Sequence, residues 1–307
     1  MTPSATACAA PFASAPPALC LLNPHAARGR CAALAAPLQA ALPGVRVSLP
    51  ASPDDARQQL LALPEGSRVL VAGGDGTVHQ LLPALLERRL QLALLPAGTG
   101  NDLARALGLA GMAWRDALAH ALHAPAPPMD VGRFQAEGGP VQWFMSSLTA
   151  GFDAAIAQRA HAAPAWLRGQ PRYLWATLAE IARLRCHHLC VQADGQRLHD
   201  GPLLFASTLN TPTYGSGMPA APGARIDDGV LQLLRVGAFG RLGALAMMPR
   251  LLAGRHLSHP RVALSGVRTL QVTSPAPVPL ALDGEPLPAA RAFQVQVQPA
   301  TLAVVRA

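Results

Sequence analysis

Arg68-Val69-Leu70-Val71-Ala72-Gly73-Gly74-Asp75-Gly76-Thr77 is the stretch of sequence that decides the fold. Its apolar first half predicts a buried strand, and apolar residues return at helical spacing from Val78 to Leu86. The pattern therefore predicts a strand, a glycine turn and a helix. Because glycine lets a ligand approach the backbone and the start of a helix attracts anions, we expect this turn to hold a phosphate group.

A second loop of small residues follows a second apolar run. Residues 91–96 read as a strand, and Ala97-Gly98-Thr99-Gly100-Asn101-Asp102 reads as a loop before a helix that Asn101 or Asp102 could cap. A single glycine cluster after a strand is weak support, since most such turns only reverse the chain. Two clusters at the ends of successive strands favour a shared phosphate site.

The amino-acid composition limits which partners and which catalytic mechanisms are compatible with this protein. The 307 residues are half hydrophobic and only 14% charged, which is typical of a folded protein large enough for two domains. The net charge of +8 favours anionic lipid surfaces or phosphorylated ligands, and without a basic run nucleic acid is not expected. All 25 basic residues are arginine, which excludes a Walker-type loop and a Schiff-base lysine. Phosphate must be held by backbone N–H groups, arginine or metal.

The cysteines and the first residues indicate a cytoplasmic protein. Five cysteines form no paired framework and suit a reducing compartment. Cys186-His187-His188-Leu189-Cys190 has no second ligand cluster in the sequence, so a helix that runs into a strand is favoured over a metal site. Residues 1–18 lack a basic n-region and are interpreted as a flexible tail, and no apolar run is long enough to span a membrane.

Two domains are predicted, because the pattern of predicted secondary structure changes along the chain. In residues 19–128 strands alternate with helices, which predicts a Rossmann-like α/β domain with ligands beyond the carboxyl ends of its parallel strands. In residues 129–307 short strand-like runs alternate with turns, which predicts a β-rich, sandwich-like domain. We expect the ligand cleft between the two.

Two amphipathic helical segments interrupt the β-rich region. Residues 171–185 and 242–252 each place large apolar residues on one face, namely Leu174, Leu178 and Ile181 in the first and Leu245, Met248 and Leu252 in the second. Packing against a core is the favoured interpretation, because most amphipathic helices face a core. The alternative is a helix on a membrane surface, since four arginines flank the second segment: Arg241, Arg250, Arg255 and Arg261.

Three Asp-Gly turns in this region differ in what accompanies them. Asp194-Gly195 lies between two strand-like runs and is interpreted as a hairpin turn alone. Asp227-Asp228-Gly229 carries two acids that could hold Mg²⁺ through oxygen ligands. Asp283-Gly284-Glu285 also carries two acids, of which one is enough for a general base.

Taken together, these motifs resemble the diacylglycerol kinase catalytic-domain family, the lipid kinases that include bacterial diacylglycerol kinases and sphingosine kinases. The resemblance spans Leu19 to Val305. The motifs that carry it occur in the family's order: Asn23-Pro24, Gly73-Gly74-Asp75-Gly76-Thr77, Gly98-Thr99-Gly100-Asn101-Asp102, Asp130, Gly151-Phe152-Asp153, Asp228-Gly229 and Leu282-Asp283-Gly284-Glu285.

The resemblance implies roles for individual residues. Glu285 would accept the proton of the lipid hydroxyl with Asp283 as its neighbour, and Asp75 would lie near Mg²⁺ and the phosphates. Asp102 and Asp130 would complete an acidic network. A second ion site would use Asp228 with backbone oxygens of Arg225 and Val230. ATP would contact two groups of residues: Asn23, Pro24, Arg28, Gly73, Gly74, Asp75, Gly76, Thr77, Val78 and His79, then Gly98, Thr99, Gly100, Asn101 and Asp102. The family often carries asparagine and glutamate where this chain has His79 and Gln80.

The implied activity is ATP- and Mg²⁺-dependent phosphorylation of a lipid hydroxyl, with diacylglycerol as the leading acceptor. Sphingosine, ceramide, phosphatidylglycerol and an isoprenoid alcohol stay open as acceptors, and so does a homodimer. A soluble NAD-kinase-like enzyme and a nucleotide-binding regulator are the alternative functions. A dehydrogenase is excluded, since the first loop lacks Gly-x-Gly-x-x-Gly spacing. A basic protein of this kind would work at the inner membrane surface, in transient contact with anionic lipid.

Overall fold

The computed structural model describes residues 17–98, 100–164, 166–167 and 170–307, without the side chains of residues 27, 28 and 170. Most of the predicted tail at 1–18 and the predicted phosphate contact Thr99 therefore lie outside the described residues.

The described residues form strands in the following order: β1 (Leu19–Leu22), β2 (Arg46–Ser48), β3 (Arg68–Gly73), β4 (Gln91–Pro96), β5 (Pro128–Ala136), β6 (Val141–Phe144), β7 (Ser147–Gly151), β8 (His187–Ala193), β9 (Gln196–Leu209), β10 (Leu231–Gly237), β11 (Val262–Val267), β12 (Thr269–Leu282) and β13 (Glu285–Val304). The helices are α1 (Ala35–Ala41), α2 (Pro53–Leu61), α3 (Asp75–Glu87), α4 (Asp102–Ala106), α5 (Trp114–His123), α6 (Phe152–His161), α7 (Gln170–Ala182) and α8 (Arg241–Leu252).

The N-terminal part is a parallel sheet covered on both faces, as the alternating sequence predicts. Its strands run in the order β4-β3-β1-β2, and all of these pairings are parallel. Along β3, Val69 and Val71 point into one buried cluster while Leu70 and Ala72 point into another on the opposite face. This double burial explains why the strand reads as a continuous apolar run. The glycine loops follow β3 and β4, at the same edge of the sheet.

The second part is antiparallel and sandwich-like. Strands β11, β10, β9, β7, β12 and β13 are neighbours in that order, with β8 bridging β12 and β9. The turn at Asp194-Gly195 joins β8 to β9 with positive φ at both residues, so the predicted hairpin is confirmed. Asp283-Gly284 joins β12 to β13 in the same way. Glu285 is thus the first residue of β13, directly after a tight turn.

A return of the chain to the first sheet was not anticipated from the sequence. Strand β13 pairs with β12 and β5 over most of its length, but its last residues, Ala303 and Val304, pair in parallel with β4. The register of β13 against β5 shifts between Gln298 and Leu302, and Ala300 has a φ of 52° there. One strand therefore belongs to both parts of the molecule.

The interpretation of the two amphipathic helices as core-facing is wrong for most of their large apolar residues. Ile181 is buried, but Leu174 and Leu178 on α7 are 54% and 47% exposed. On α8, Leu245 and Leu252 are 46% and 62% exposed. Periodicity shows which residues share a face of a helix, but it does not show whether protein covers that face. Within the described ranges, no helix is long and apolar enough to cross a bilayer.

Candidate active site

A hydrogen bond joins the end of β1 to the start of α3, and both of its residues, Asn23 and Thr77, are predicted nucleotide contacts. Asn23 Nδ2 donates to Thr77 Oγ1 over 2.7 Å. A Cβ atom at Gly73 would come within 2.6 Å of the Thr77 side chain, so this position requires glycine. Asn23 and Pro24 therefore lie beside the first glycine loop. Helix α3 begins at Asp75, earlier than the sequence pattern suggests, and Gly74 is its N-cap residue.

The two glycine loops contact each other through their backbones. A Cβ atom at Gly74 would lie 2.7 Å from the Cα atom of Gly98, and a Cβ at Gly98 would lie 2.5 Å from the Cα of Gly74. Since real Cβ atoms do not approach backbone so closely, the contact exists only because both residues lack a side chain. The loops thus form one continuous surface at the carboxyl ends of β3 and β4, where open α/β sheets bind ligands.

Asp75 ties the second loop to the first. Its carboxylate accepts the backbone N–H groups of Asp102 and Leu103 over 3.1 and 3.0 Å, so it caps α4 from outside the helix. Asn101 is the N-cap residue of α4, as predicted, but its side chain bonds back to Gly98 and does not cap the helix. Burial raises the pKa of Asp75, and the N–H group of Leu103 opposes that shift.

Asp102 fixes a loop that comes from the second part of the molecule. Its carboxylate accepts the hydroxyl of Thr213 over 2.9 Å and the backbone N–H groups of Ser216 and Gly217, each over 2.8 Å. Arg105 adds an ion pair at 3.0 Å. The same loop is joined to α6 by Tyr214, whose hydroxyl donates to Asp153 over 2.7 Å. Asp102 thus connects the α/β part to the β-rich part across the site.

Asp283 is held rigidly at the tip of its hairpin. Its carboxylate accepts the backbone N–H groups of three consecutive residues over 2.7 to 3.0 Å: Met145, Ser146 and Ser147. The second oxygen also lies 3.0 Å from His79 Nδ1. Burial alone would lower the pKa of His79, but the hydrogen bond and charge of Asp283, together with the charge of Glu285, outweigh it and raise that pKa. His79 therefore faces the acidic hairpin.

Glu285 lies against the first glycine loop. A Cβ atom at Gly76 would come within 2.9 Å of Glu285 Oε1, while Oε2 lies 3.3 Å from His161 Nε2. The hydrogen bond from His161 lowers the pKa of Glu285, and burial opposes this shift only in part. Tyr173 also faces the hairpin, since its hydroxyl would be 4.0 Å from a Cβ at Gly284. A partly exposed, ionised carboxylate can accept a proton.

The Asp130 carboxylate has hydrogen-bond partners different from those of Asp75 and Asp102. Its carboxylate accepts the backbone N–H groups of Gly229 over 2.6 Å and Ala300 over 2.8 Å. No hydrogen-bond partner within the described ranges is shared by Asp130 and either Asp75 or Asp102. Asp130 instead supports the predicted second ion loop and the bend of β13.

The acidic residues supply few ligands, so a magnesium ion here would be held largely by phosphate and water. The described part of the chain contains no group of three His, Cys, Asp or Glu residues that could hold a metal. In the predicted second ion loop, Asp228 Oδ1 accepts the N–H of Val230 over 3.1 Å, and Arg225 is paired with Asp227. Mg²⁺ usually keeps several waters and is bound through one or two carboxylates, so one Asp228 carboxylate with backbone oxygens is compatible with it.

Two further predicted nucleotide contacts, Val78 and Arg28, cannot be assigned a side-chain contact in the site. The Val78 side chain is fully buried in the core, so only its backbone is available to a nucleotide. The Arg28 side chain lies outside the described residues. Sequence reasoning missed His161, Tyr173 and the loop around Ser216. Single histidines, tyrosines and serines have no motif, and no signal in this sequence distinguishes them.

Two family models match the chain in its two halves. Residues 17–134 match the diacylglycerol kinase catalytic domain, and residues 146–306 match the YegS C-terminal NAD kinase beta sandwich-like domain. A diacylglycerol kinase of Mycobacterium tuberculosis (strain ATCC 25618 / H37Rv) is 33% identical over 257 residues, which is 82% of this chain and 81% of that protein.

The chain belongs to the diacylglycerol kinase catalytic-domain family. Members of this family are phosphotransferases with an alcohol acceptor, and the chain is a lipid kinase of this class with ATP as phosphoryl donor. A probable YegS-like lipid kinase of Shewanella frigidimarina is 26% identical over 226 residues, covering 72% of this chain and 71% of that one.

The fold of the diacylglycerol kinase family is shared as well. The crystal structure of a diacylglycerol kinase from Bacillus anthracis str. Sterne superposes with a TM-score of 0.70 at 20% identity, covering 94% of this chain and 96% of that one. The predicted α/β domain followed by a β-sandwich-like domain is therefore confirmed.

Proposed function

We propose that the protein transfers the γ-phosphoryl group of ATP to the hydroxyl of diacylglycerol and so forms phosphatidic acid. The observation that carries this proposal is the position of Glu285, whose carboxylate lies against Gly76 of the first glycine loop. A phosphate seated on that loop and a hydroxyl beside Glu285 would be next to each other. Phosphoryl transfer depends mainly on such positioning and on charge neutralisation.

In this proposal Glu285 accepts the hydroxyl proton as the lipid oxygen attacks the γ-phosphorus and the bond to ADP breaks. Asp283 holds the hairpin and His79 in place, and Asp75 keeps the two glycine loops together. The loop N–H groups and Asn23 bind the phosphates. Mg²⁺, when bound, neutralises phosphate charge, and we assign Asp228 with the backbone oxygens of Arg225 and Val230 as a second ion site.

The acceptor and the donor are tested in one assay. Purified protein is incubated with labelled ATP and one acceptor at a time. The acceptors are diacylglycerol, sphingosine, ceramide, phosphatidylglycerol, an isoprenoid alcohol and NAD. We expect labelled phosphatidic acid as the main product and its loss when EDTA removes Mg²⁺. Labelled NADP instead would overturn the proposal, and so would full activity in EDTA.

We also propose that the enzyme works at the cytoplasmic surface of the inner membrane and contacts anionic lipid transiently. The net charge of +8 supports this, because anionic bilayers attract basic proteins. Fractionation of cells should find part of the protein with membranes, releasable by high salt. Light scattering of the purified protein would measure whether it is a homodimer.

A further inference from the structure

Most of the exposed large apolar residues of the described chain occur in two neighbouring segments. There are ten such residues; Leu49 and Val141 lie elsewhere, and the remaining eight lie within 166–178 and 242–257. We define the apolar face by five leucines with exposed fractions between 46% and 83%: Leu174 and Leu178 on α7, and Leu242, Leu245 and Leu252 on α8. Scattered exposed leucines are ordinary on a protein surface, but a concentration of this kind marks an interaction site.

The two helices form one surface. Ile181 of α7 and Ala244 of α8 are buried in the same hydrophobic cluster, so the helices pack on a shared support. The leucines at 242, 245 and 252 are exposed, whereas Ala244 on the same helix is buried. Trp175 of α7 is 38% exposed, and Trp166, which precedes α7 in the chain, is 79% exposed. Tryptophan is favoured where one side of a surface is apolar and the other is wet.

The charges around the apolar face are positive. Residues 241–261 contain four arginines and no acidic residue. Arg241, Arg250 and Arg255 are exposed, and within the described ranges none of them forms an ion pair with a carboxylate. An apolar face with unpaired cations beside it complements an anionic bilayer, in which headgroups attract arginine and the acyl region accepts leucine.

The apolar face adjoins the reactive acid. The side of α7 that faces inward carries Tyr173 beside the Asp283-Gly284-Glu285 hairpin. Helix α7 is also tied to α6 by an ion pair between Arg159 and Glu180, and α6 ends at His161, the partner of Glu285. A bilayer against the outer side of α7 would therefore lie next to the group that accepts the substrate proton.

From these observations we propose that the apolar face of α7 and α8 docks on an anionic lipid bilayer, with Arg250 and Arg255 on the headgroups. The inference rests on the proposed lipid kinase function and identifies the surface that meets the membrane. A second copy of this chain or another protein on the same face would exclude it.

Vesicle binding without ATP tests this proposal. Wild-type protein is sedimented with phosphatidylcholine vesicles that contain a minority of phosphatidylglycerol. We expect Leu242→Glu with Leu252→Glu to weaken partitioning by about tenfold per leucine. Arg250→Glu with Arg255→Glu should weaken it by about fivefold per arginine on these vesicles and change little on pure phosphatidylcholine. The matched controls, Leu49→Glu and Arg291→Glu, should bind like wild type. Circular dichroism and thermal unfolding verify that each variant is folded.

Three results would overturn the proposal. They are wild-type protein that does not bind anionic vesicles, a leucine double variant that binds as well as wild type, and a wild-type dimer that the leucine substitutions dissociate. Because the readout is binding and not turnover, absence of diacylglycerol phosphorylation would count against the proposed function alone.

Discussion

Glu285 Oε1 lies so close to Gly76 that a single methyl group on that glycine would be 2.9 Å from it. The proposed proton acceptor and the first glycine loop, which are 209 positions apart in the sequence, thus lie next to each other. The contact brings a carboxylate of the β-rich part to the glycine loop of the α/β part.

Replacing Gly76 by alanine tests the contact. Because Glu285 is a flexible side chain, we expect it to move away from the new methyl group, with kcat falling by about tenfold to a hundredfold and the melting temperature changing little. Gly223→Ala is the matched control, since a Cβ there meets nothing within 4 Å. An unchanged kcat in Gly76→Ala would mean that the position of Glu285 is not important for turnover.

Glu285→Gln should separate binding from chemistry. Glutamine keeps the shape of the side chain but cannot take up the proton, so we expect kcat to fall by about 10²- to 10⁴-fold. ATP affinity, measured by calorimetry, should be unchanged. Glu137→Gln, an exposed substitution on the β5–β6 turn, is the control. If wild type and variant bind ATP equally and neither turns over any acceptor, the protein is a nucleotide-binding regulator.

His161 should set the pH dependence of turnover through Glu285. The hydrogen bond from His161 lowers the pKa of Glu285, so removing it in His161→Ala raises that pKa. The acidic limb of the kcat/KM profile should therefore move to higher pH in the variant. His188→Ala removes a similar contact, 2.9 Å from Asp200 on the surface of β8 and β9, and should leave the profile as in wild type. Superimposable profiles for His161→Ala and wild type would exclude this role.

Asp153 should make stability depend on pH in an unusual direction. Burial raises the pKa of Asp153 from 3.8 to about 6, and the hydrogen bond from Tyr214 opposes the shift only in part. The folded protein holds this proton more tightly than the unfolded chain does. The resulting stabilisation is complete below pH 3.8 and is lost as the pH rises through about 6.

Asp153→Asn keeps an acceptor for the Tyr214 hydroxyl and removes the buried charge. Near neutral pH we expect its free energy of unfolding to exceed that of wild type by about 1–3 kcal/mol, with the difference vanishing in acid. Urea titrations across this pH range measure it. Asp200→Asn is the control, because the pKa of that exposed carboxyl is lowered by His188 and no gain is expected. Equal free energies of unfolding for wild type and Asp153→Asn at neutral pH would show that burial does not destabilise the ionised form of Asp153.

The parts of the fold that follow from the sequence depend on local patterns. The apolar run of β3, the glycines after it and the Asp283-Gly284 turn each determine their own backbone, so the strand, the loop and the hairpin could be predicted. The contacts of Asp75 and Asp102 could not, because their partners come from distant loops with no distinctive composition. The exposure of the leucines on α7 and α8 could not be predicted for a related reason, since a helical period shows which residues share a face and not what covers that face.

The two-part strand β13 has a mechanical consequence. Its first residue is Glu285, and its far end pairs with β4, which leads into the second glycine loop. The bend at Ala300 is pinned by Asp130 in between. Because both parts share this strand, a movement of the β-rich part relative to the α/β part would have to bend β13, and the register shift around Ala300 is where we expect that bend.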